Sequence, residues 1–156
     1  MKKKALVAAC AALFVAVVAC YAAGDAFIGT WKLNEAKSKL TAGGQKNSTV
    51  VYTAAGDKVT VAIDGTDADG KPYHSEWTGM YDGKDYPVTG DPTIDTRAYK
   101  KVNSHTLSIA GKKDGKVTQT TRVVVSADDG KTRTVTSTAT DAKGMKMSTT
   151  AVYDKQ

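Results

Sequence analysis

The stretch Phe27-Ile28-Gly29-Thr30-Trp31-Lys32-Leu33 decides how the rest of the chain is read. A glycine two residues before a tryptophan opens a sequence rich in Thr and Val and punctuated by turns. Behind it no segment sustains a helical period, apart from a single turn around Glu35 to Leu40. What recurs is a block of about four to nine residues of Thr, Val, Tyr and Ile, closed by a Gly/Asp turn. The turns read Ala55-Gly56-Asp57-Lys58, Asp67-Ala68-Asp69-Gly70-Lys71, Lys113-Asp114-Gly115-Lys116, Asp128-Asp129-Gly130-Lys131 and Asp141-Ala142-Lys143-Gly144. Asp-Gly pairs accept the positive φ of tight hairpins. Strands are therefore predicted near 27–33, 48–54, 58–64, 72–81, 94–101, 105–110, 116–126, 131–139 and 145–154, with a short one near 86–88. Hairpin-linked strands with no long crossover predict an all-β fold, a single antiparallel up-and-down β-barrel of about 8–10 strands.

One connection breaks the rhythm. Asp82 to Pro92 holds two of the three prolines, and proline cannot donate to a central ladder. The segment reads either as a barrel corner with one short edge strand or as a loop at the barrel mouth.

The first residues run Met1-Lys2-Lys3-Lys4, an apolar stretch from Ala5 to Ala19, and small residues at Ala22 and Ala23. A charged start, a short apolar core and a small-residue exit are the parts of a secretory signal peptide, here residues 1–22, with the barrel domain over 27–156. Export to the periplasm or medium is expected. Cys10 and Cys20 both lie in this segment, so no disulfide is expected in the domain. Val17-Val18-Ala19-Cys20 also reads as a bacterial lipobox, in which Cys20 would be lipidated and the protein membrane-anchored; cleavage after Ala22 or Ala23 would release it. Both outcomes stand. Of 22 basic residues, Lys2 to Lys4 leave with the signal; the remaining 19 against 16 acidic give about +3. A balance that small, with interleaved signs, implies solubility more than affinity for phosphate backbones, so nucleic acid is not expected as a partner; a monomer is expected.

Gly29-Thr30-Trp31 and its surroundings resemble the first strand of the calycin barrels, the lipocalins and fatty-acid-binding proteins. Thr150-Ala151-Val152-Tyr153-Asp154-Lys155 is similar to the last strand of the fatty-acid-binding branch. The resemblance implies a bacterial lipocalin-like barrel, with Trp31 plugging its base under an arginine from a late strand. Arg122 and Arg133 are the candidates; Arg122 is preferred because Val123 to Val125 continue a long strand. Two departures separate the chain from lipid carriers. Ala151 stands where the branch has a ligand-holding arginine, and the interval Asn34 to Ser48, with Gly43-Gly44 inside it, is too short for a helical lid.

Period-two reading of 72–81 puts Tyr73, Ser75, Trp77, Gly79 and Tyr81 on one face, the one carrying the aromatic mass. Core packing or a cavity wall explains that face; as a wall, Trp77 and Tyr81 would contact an apolar ligand. Arg97 and Tyr99 share a face and would supply a polar anchor, unless Arg97 is exposed and faces Asp95. The expected ligand-binding set is thus Trp77, Tyr81, Arg97 and Tyr99. Asp67-Ala68-Asp69-Gly70 with Glu76 mimics part of a calcium loop, but Gly65 stands at the first ligand position and Pro72 at the eighth position of the loop, and a hairpin explains the same residues. His74 and His105, the two histidines, have no carboxylate at ligand spacing, so no metal is expected. Ser75 and Ser104 adjoin them, but neighbours on a strand point to opposite faces. With no phosphate loop or dinucleotide fingerprint either, no catalytic residue and no cofactor are expected. Two functions remain. One is a barrel binding a small, largely apolar ligand; the other is a non-catalytic structural or protein-interaction barrel of the cell envelope with a packed lumen. A lumen of about 300 Å³ or more separates the first from the second.

Overall fold

The computed structural model describes residues 24–140 and 144–156. The signal segment, Cys20, and the Asp141 to Lys143 part of the last turn lie outside them. Ten antiparallel strands form a closed barrel: β1 (Gly29–Leu33), β2 (Lys46–Ala55), β3 (Lys58–Thr66), β4 (Pro72–Gly79), β5 (Asp82–Thr89), β6 (Thr96–Asn103), β7 (Thr106–Lys113), β8 (Lys116–Val125), β9 (Thr132–Thr140) and β10 (Lys146–Lys155). Each strand pairs with the next in sequence, and β1 pairs with β10 to shut the ring through Trp31↔Lys155, Lys32↔Asp154 and Leu33↔Tyr153. The two terminal segments singled out in the sequence are thus neighbours across the closing seam. Closure leaves no free strand edge at the ends of the sheet, the usual hazard of an antiparallel sheet. A single 3-10 turn, Glu35–Lys37, follows β1.

The tight connections obey the turn chemistry of the sequence. Between β7 and β8, Asp114 and Gly115 take φ of 49° and 75°, the paired positive values of a two-residue hairpin. Asp is among the few non-glycine residues that tolerate this conformation, and the Asp114 backbone N–H donates to Asp95 Oδ2 at 2.8 Å.

The proline-bearing segment is more than a short strand at 86–88: Asp82–Thr89 forms the full eight-residue β5, and Asp91 and Pro92 follow in a connection at the open end of the lumen. Val88 donates to the Asp95 carbonyl at 2.9 Å on the β6 side, so the neighbouring position 87 faces β4. There the register consists only of Glu76↔Thr89 and Trp77↔Val88. Pro87 therefore sits where the β4–β5 ladder has already stopped, and its missing donor costs nothing.

The barrel has two unlike halves. At the end where β1 starts, the lumen is filled by rings. Trp77 and Tyr99 lie 4.1 Å apart between centroids, Phe27 meets Tyr81 edge-on at 6.1 Å, and Tyr86 meets Trp77 edge-on at 5.9 Å. Gly79 makes room for this: a Cβ there would stand 2.6 Å from both Trp77 and Tyr86. Trp31 is fully buried and its indole N–H donates to the Phe27 carbonyl at 2.8 Å.

The arginine at this closed end is Arg133 and not Arg122. Arg122 is exposed, because Val123 and Val125 hold the inward parity of β8. Arg133, 2% exposed, places its guanidinium 5.2 Å from the Trp31 and Tyr52 rings and 4.5 Å from Tyr153. Three aromatic faces surround the cation where a carboxylate would otherwise be needed.

Burial pushes the phenols of Tyr81, Tyr99 and Tyr153 above their ordinary value of 10.0. Below pH 10 each is protonated in both folded and unfolded chains, so none affects stability there. As pH rises past 10 the unfolded chain ionises first. Each ring then withdraws about 1.4 kcal/mol of stability per pH unit until its folded pKa is reached. Phenolate absorbance should accordingly rise in one cooperative step with alkaline unfolding. Gradual ionisation of all the tyrosines near pH 10 in the folded protein would contradict the packed end.

Candidate ligand-binding site

The other half of the lumen is open. A cavity of about 750 Å³ occupies the end where β1 finishes. The inward positions of the last two strands explain why. Along β9, Arg133 gives way to Val135, Ser137 and Ala139; along β10, Tyr153 gives way to Ala151 and Thr149. Large side chains fill the closed end and small ones leave space toward the mouth. Leu33, Ile94, Val135, Ala151 and the Tyr73 and Tyr153 rings make the wall largely apolar. The segment Leu40 to Lys46 lies across the mouth in place of a helical lid. It is pinned to β10 by reciprocal backbone bonds between Lys39 and Thr150 at 2.7 and 3.0 Å.

Of the four expected ligand-binding residues, only Arg97 borders this cavity. Trp77, Tyr81 and Tyr99 belong to the aromatic packing of the closed end. Trp77 is 1% exposed and its indole N–H donates to the Arg97 carbonyl at 3.0 Å. Tyr73, Ser75, Trp77 and Gly79 share the inward face of β4 as the period of two predicts, but Trp77 lies below the level of the cavity. Tyr73, four residues toward the mouth on the same face, is the β4 aromatic that reaches the cavity.

Arg97 does not face Asp95, which pairs with Lys113 at 2.7 Å. It is 7% exposed, and its Nη2 bonds Asp91 Oδ2 at 3.0 Å. The Tyr73 hydroxyl donates to the same oxygen at 2.8 Å, while Thr93 donates from its N–H (2.9 Å) and hydroxyl (2.6 Å) to Asp91 Oδ1. Burial, foremost, and the Asp91 carboxylate push the Tyr73 phenol up, against the opposing pull of the Ser75 hydroxyl and Arg97. Tyr73 therefore remains a donor at neutral pH. Behind the cavity wall, Arg97 Nη1 and Thr118 Oγ1 are closed off without a hydrogen-bond partner among the described residues. Asp91 and Thr93 were missed in the sequence because they sit in the proline-containing connection, where no strand parity assigns a face.

The remaining polar clusters lie elsewhere. His74 bonds exposed Asp64 at 2.7 Å across the β3–β4 pair, and that hydrogen bond, first among the causes, raises its pKa above 6.5. Asp67 Oδ1 accepts the N–H groups of Asp69 and Lys71, both at 2.9 Å, as a hairpin turn requires. Ser104 and His105 do not point to opposite faces. They occupy the β6–β7 turn, where Oγ and Nδ1 come within 2.9 Å. That pair is exposed at the closed end of the barrel, away from the cavity.

No protein-family model and no curated protein matches the chain. Among solved structures it is similar to a redesigned β-barrel, mFAP1, bound to DFHBI (15% identity, TM-score 0.44), over 83% of this chain and 95% of the other. It is also similar to EF1p2_mFAP2b bound to DFHBI (12% identity, TM-score 0.47), over 84% of this chain and 94% of the other. The closed antiparallel barrel expected from the sequence is present, with the two terminal strands paired.

Proposed function

We propose that the chain is an exported, non-catalytic barrel that binds a small, largely apolar molecule in the cavity at its loop-covered end. The observation that carries this reading is the cavity itself. Its volume of about 750 Å³ lies within the range of small-molecule sites, roughly 300–1,000 Å³, and apolar walls with a few placed polar groups are their common make-up. A structural barrel would instead be packed along its whole length. Export is supported by the Lys2 to Ala23 pattern, and a monomer by the closed sheet.

The test is uptake of Nile red, a neutral dye whose fluorescence rises in apolar surroundings, by the mature protein. Saturable uptake is expected, weakened at least about tenfold by Ala139→Trp, which fills the cavity wall from β9. Absence of uptake, together with no small molecule carried by protein purified from its own cells in native mass spectrometry, would reject the binding reading. The mature amino terminus in the same spectra separates release after Ala22 or Ala23 from lipidation at Cys20.

A further inference from the structure

The binding reading leaves the chemistry of the ligand open, and the cavity's charges bear on it. Three cationic side chains border the cavity, and each has an anion. Arg97 is bonded to Asp91 at 3.0 Å, Lys46 to Glu35 at 2.9 Å, and Lys113 to Asp95 at 2.7 Å. Asp67 and Asp69 also border it. An entering carboxylate would meet no uncompensated cation among the described residues on the wall. It would also have to give up its hydration in a largely apolar space, which is costly for an ion without a partner.

Arg133 does not change this balance. Its guanidinium is enclosed by the Trp31, Tyr52 and Tyr153 rings and lies beyond the cavity wall. What the wall does offer is hydrogen-bonding capacity without charge, from Asn47, Gln119, Ser137 and Thr149.

We infer that the cavity takes a neutral ligand and discriminates against the corresponding carboxylate. This rests on the binding reading above. Asp91, by compensating Arg97, is the residue that sets the preference. Asp91 is itself held by Tyr73 and Thr93, so its carboxylate is fixed where it serves Arg97 and not the ligand.

The experiment is displacement of bound Nile red by dodecanamide and by dodecanoic acid, chain-matched and differing chiefly in charge. At pH 7.5 the amide is expected to displace the dye at a concentration at least about tenfold lower. At pH 4, where the acid is largely protonated, its potency should approach that of the amide. Asp91→Asn should narrow or reverse the ratio at pH 7.5, because Arg97 is then uncompensated. A wild-type protein that prefers the acid at pH 7.5, or an Asp91→Asn variant that folds and keeps the tenfold ratio, would overturn the inference while leaving the binding reading standing. If Asp91→Asn does not fold, the two wild-type comparisons decide the matter. Saturable Nile red uptake that neither compound displaces would overturn the inference and leave the binding reading standing, whereas absence of uptake would remove the reading on which the inference rests.

Discussion

Trp31→Ala is expected to lower the unfolding free energy by about 3–5 kcal/mol, the scale for truncating a buried aromatic. Two losses combine at this position. The indole is fully buried and bonded to the Phe27 carbonyl, so its removal opens a void and strands that carbonyl. It is also one of three rings around Arg133, and a guanidinium 2% exposed depends on those faces. Urea denaturation of wild type and variant measures the difference. An unchanged midpoint with an unchanged slope would show that the closed end does not rest on Trp31.

Asp91→Ala should cost a similar amount, about 3–5 kcal/mol, for an electrostatic reason. The side chains of Asp91 and Arg97 are 2% and 8% exposed. Removing one partner of a buried pair leaves the other charge uncompensated, and that penalty exceeds the net worth of the pair. The Tyr73 hydroxyl and both Thr93 donors lose their acceptor at the same time. The double variant Asp91→Ala/Arg97→Met removes both charges and should recover a substantial part of the loss. A single variant that loses less than about 1 kcal/mol would mean that water entering through the mouth solvates Arg97.

The strands were legible because local rules and the barrel agree. Thr, Val and Tyr runs ended by Gly-Asp turns leave one economical arrangement, in which each strand pairs with the next. β5 was underestimated because Pro87 argues against a central strand. What rescues it is a non-local fact, the early end of the β4–β5 ladder on the side that proline faces. The exchange of Arg122 for Arg133 had a signal in the sequence. Val123 and Val125 share a parity that excludes Arg122, whereas Arg133 shares its parity with Val135, on the cavity wall.

Parity also identified the inward face of β4, with Tyr73 and Trp77, and placed Arg97 and Tyr99 together on one face of β6 without deciding that this face points inward. It could not tell which of those residues fill the lumen and which border space. That depends on the volumes that other strands contribute at the same height, so Trp77 and Tyr99 became core while Tyr73 became wall. The charge state of the site was equally non-local. Asp91, six residues before Arg97 in an irregular connection, reaches its partner only because β5 and β6 bring the ends of that connection together.

The sequence by itself determined the fold class, the strand count to within its predicted range, and the alternation of each strand, since these follow from local conformational preference and a period of two. The tertiary structure alone decided that Tyr52 and Tyr153 join Trp31 around Arg133, that the lumen is filled at one end and open at the other, and that the cavity's cations are already paired. Those properties are sums over side chains brought together from distant strands, and closure of the barrel sets which residues share a level.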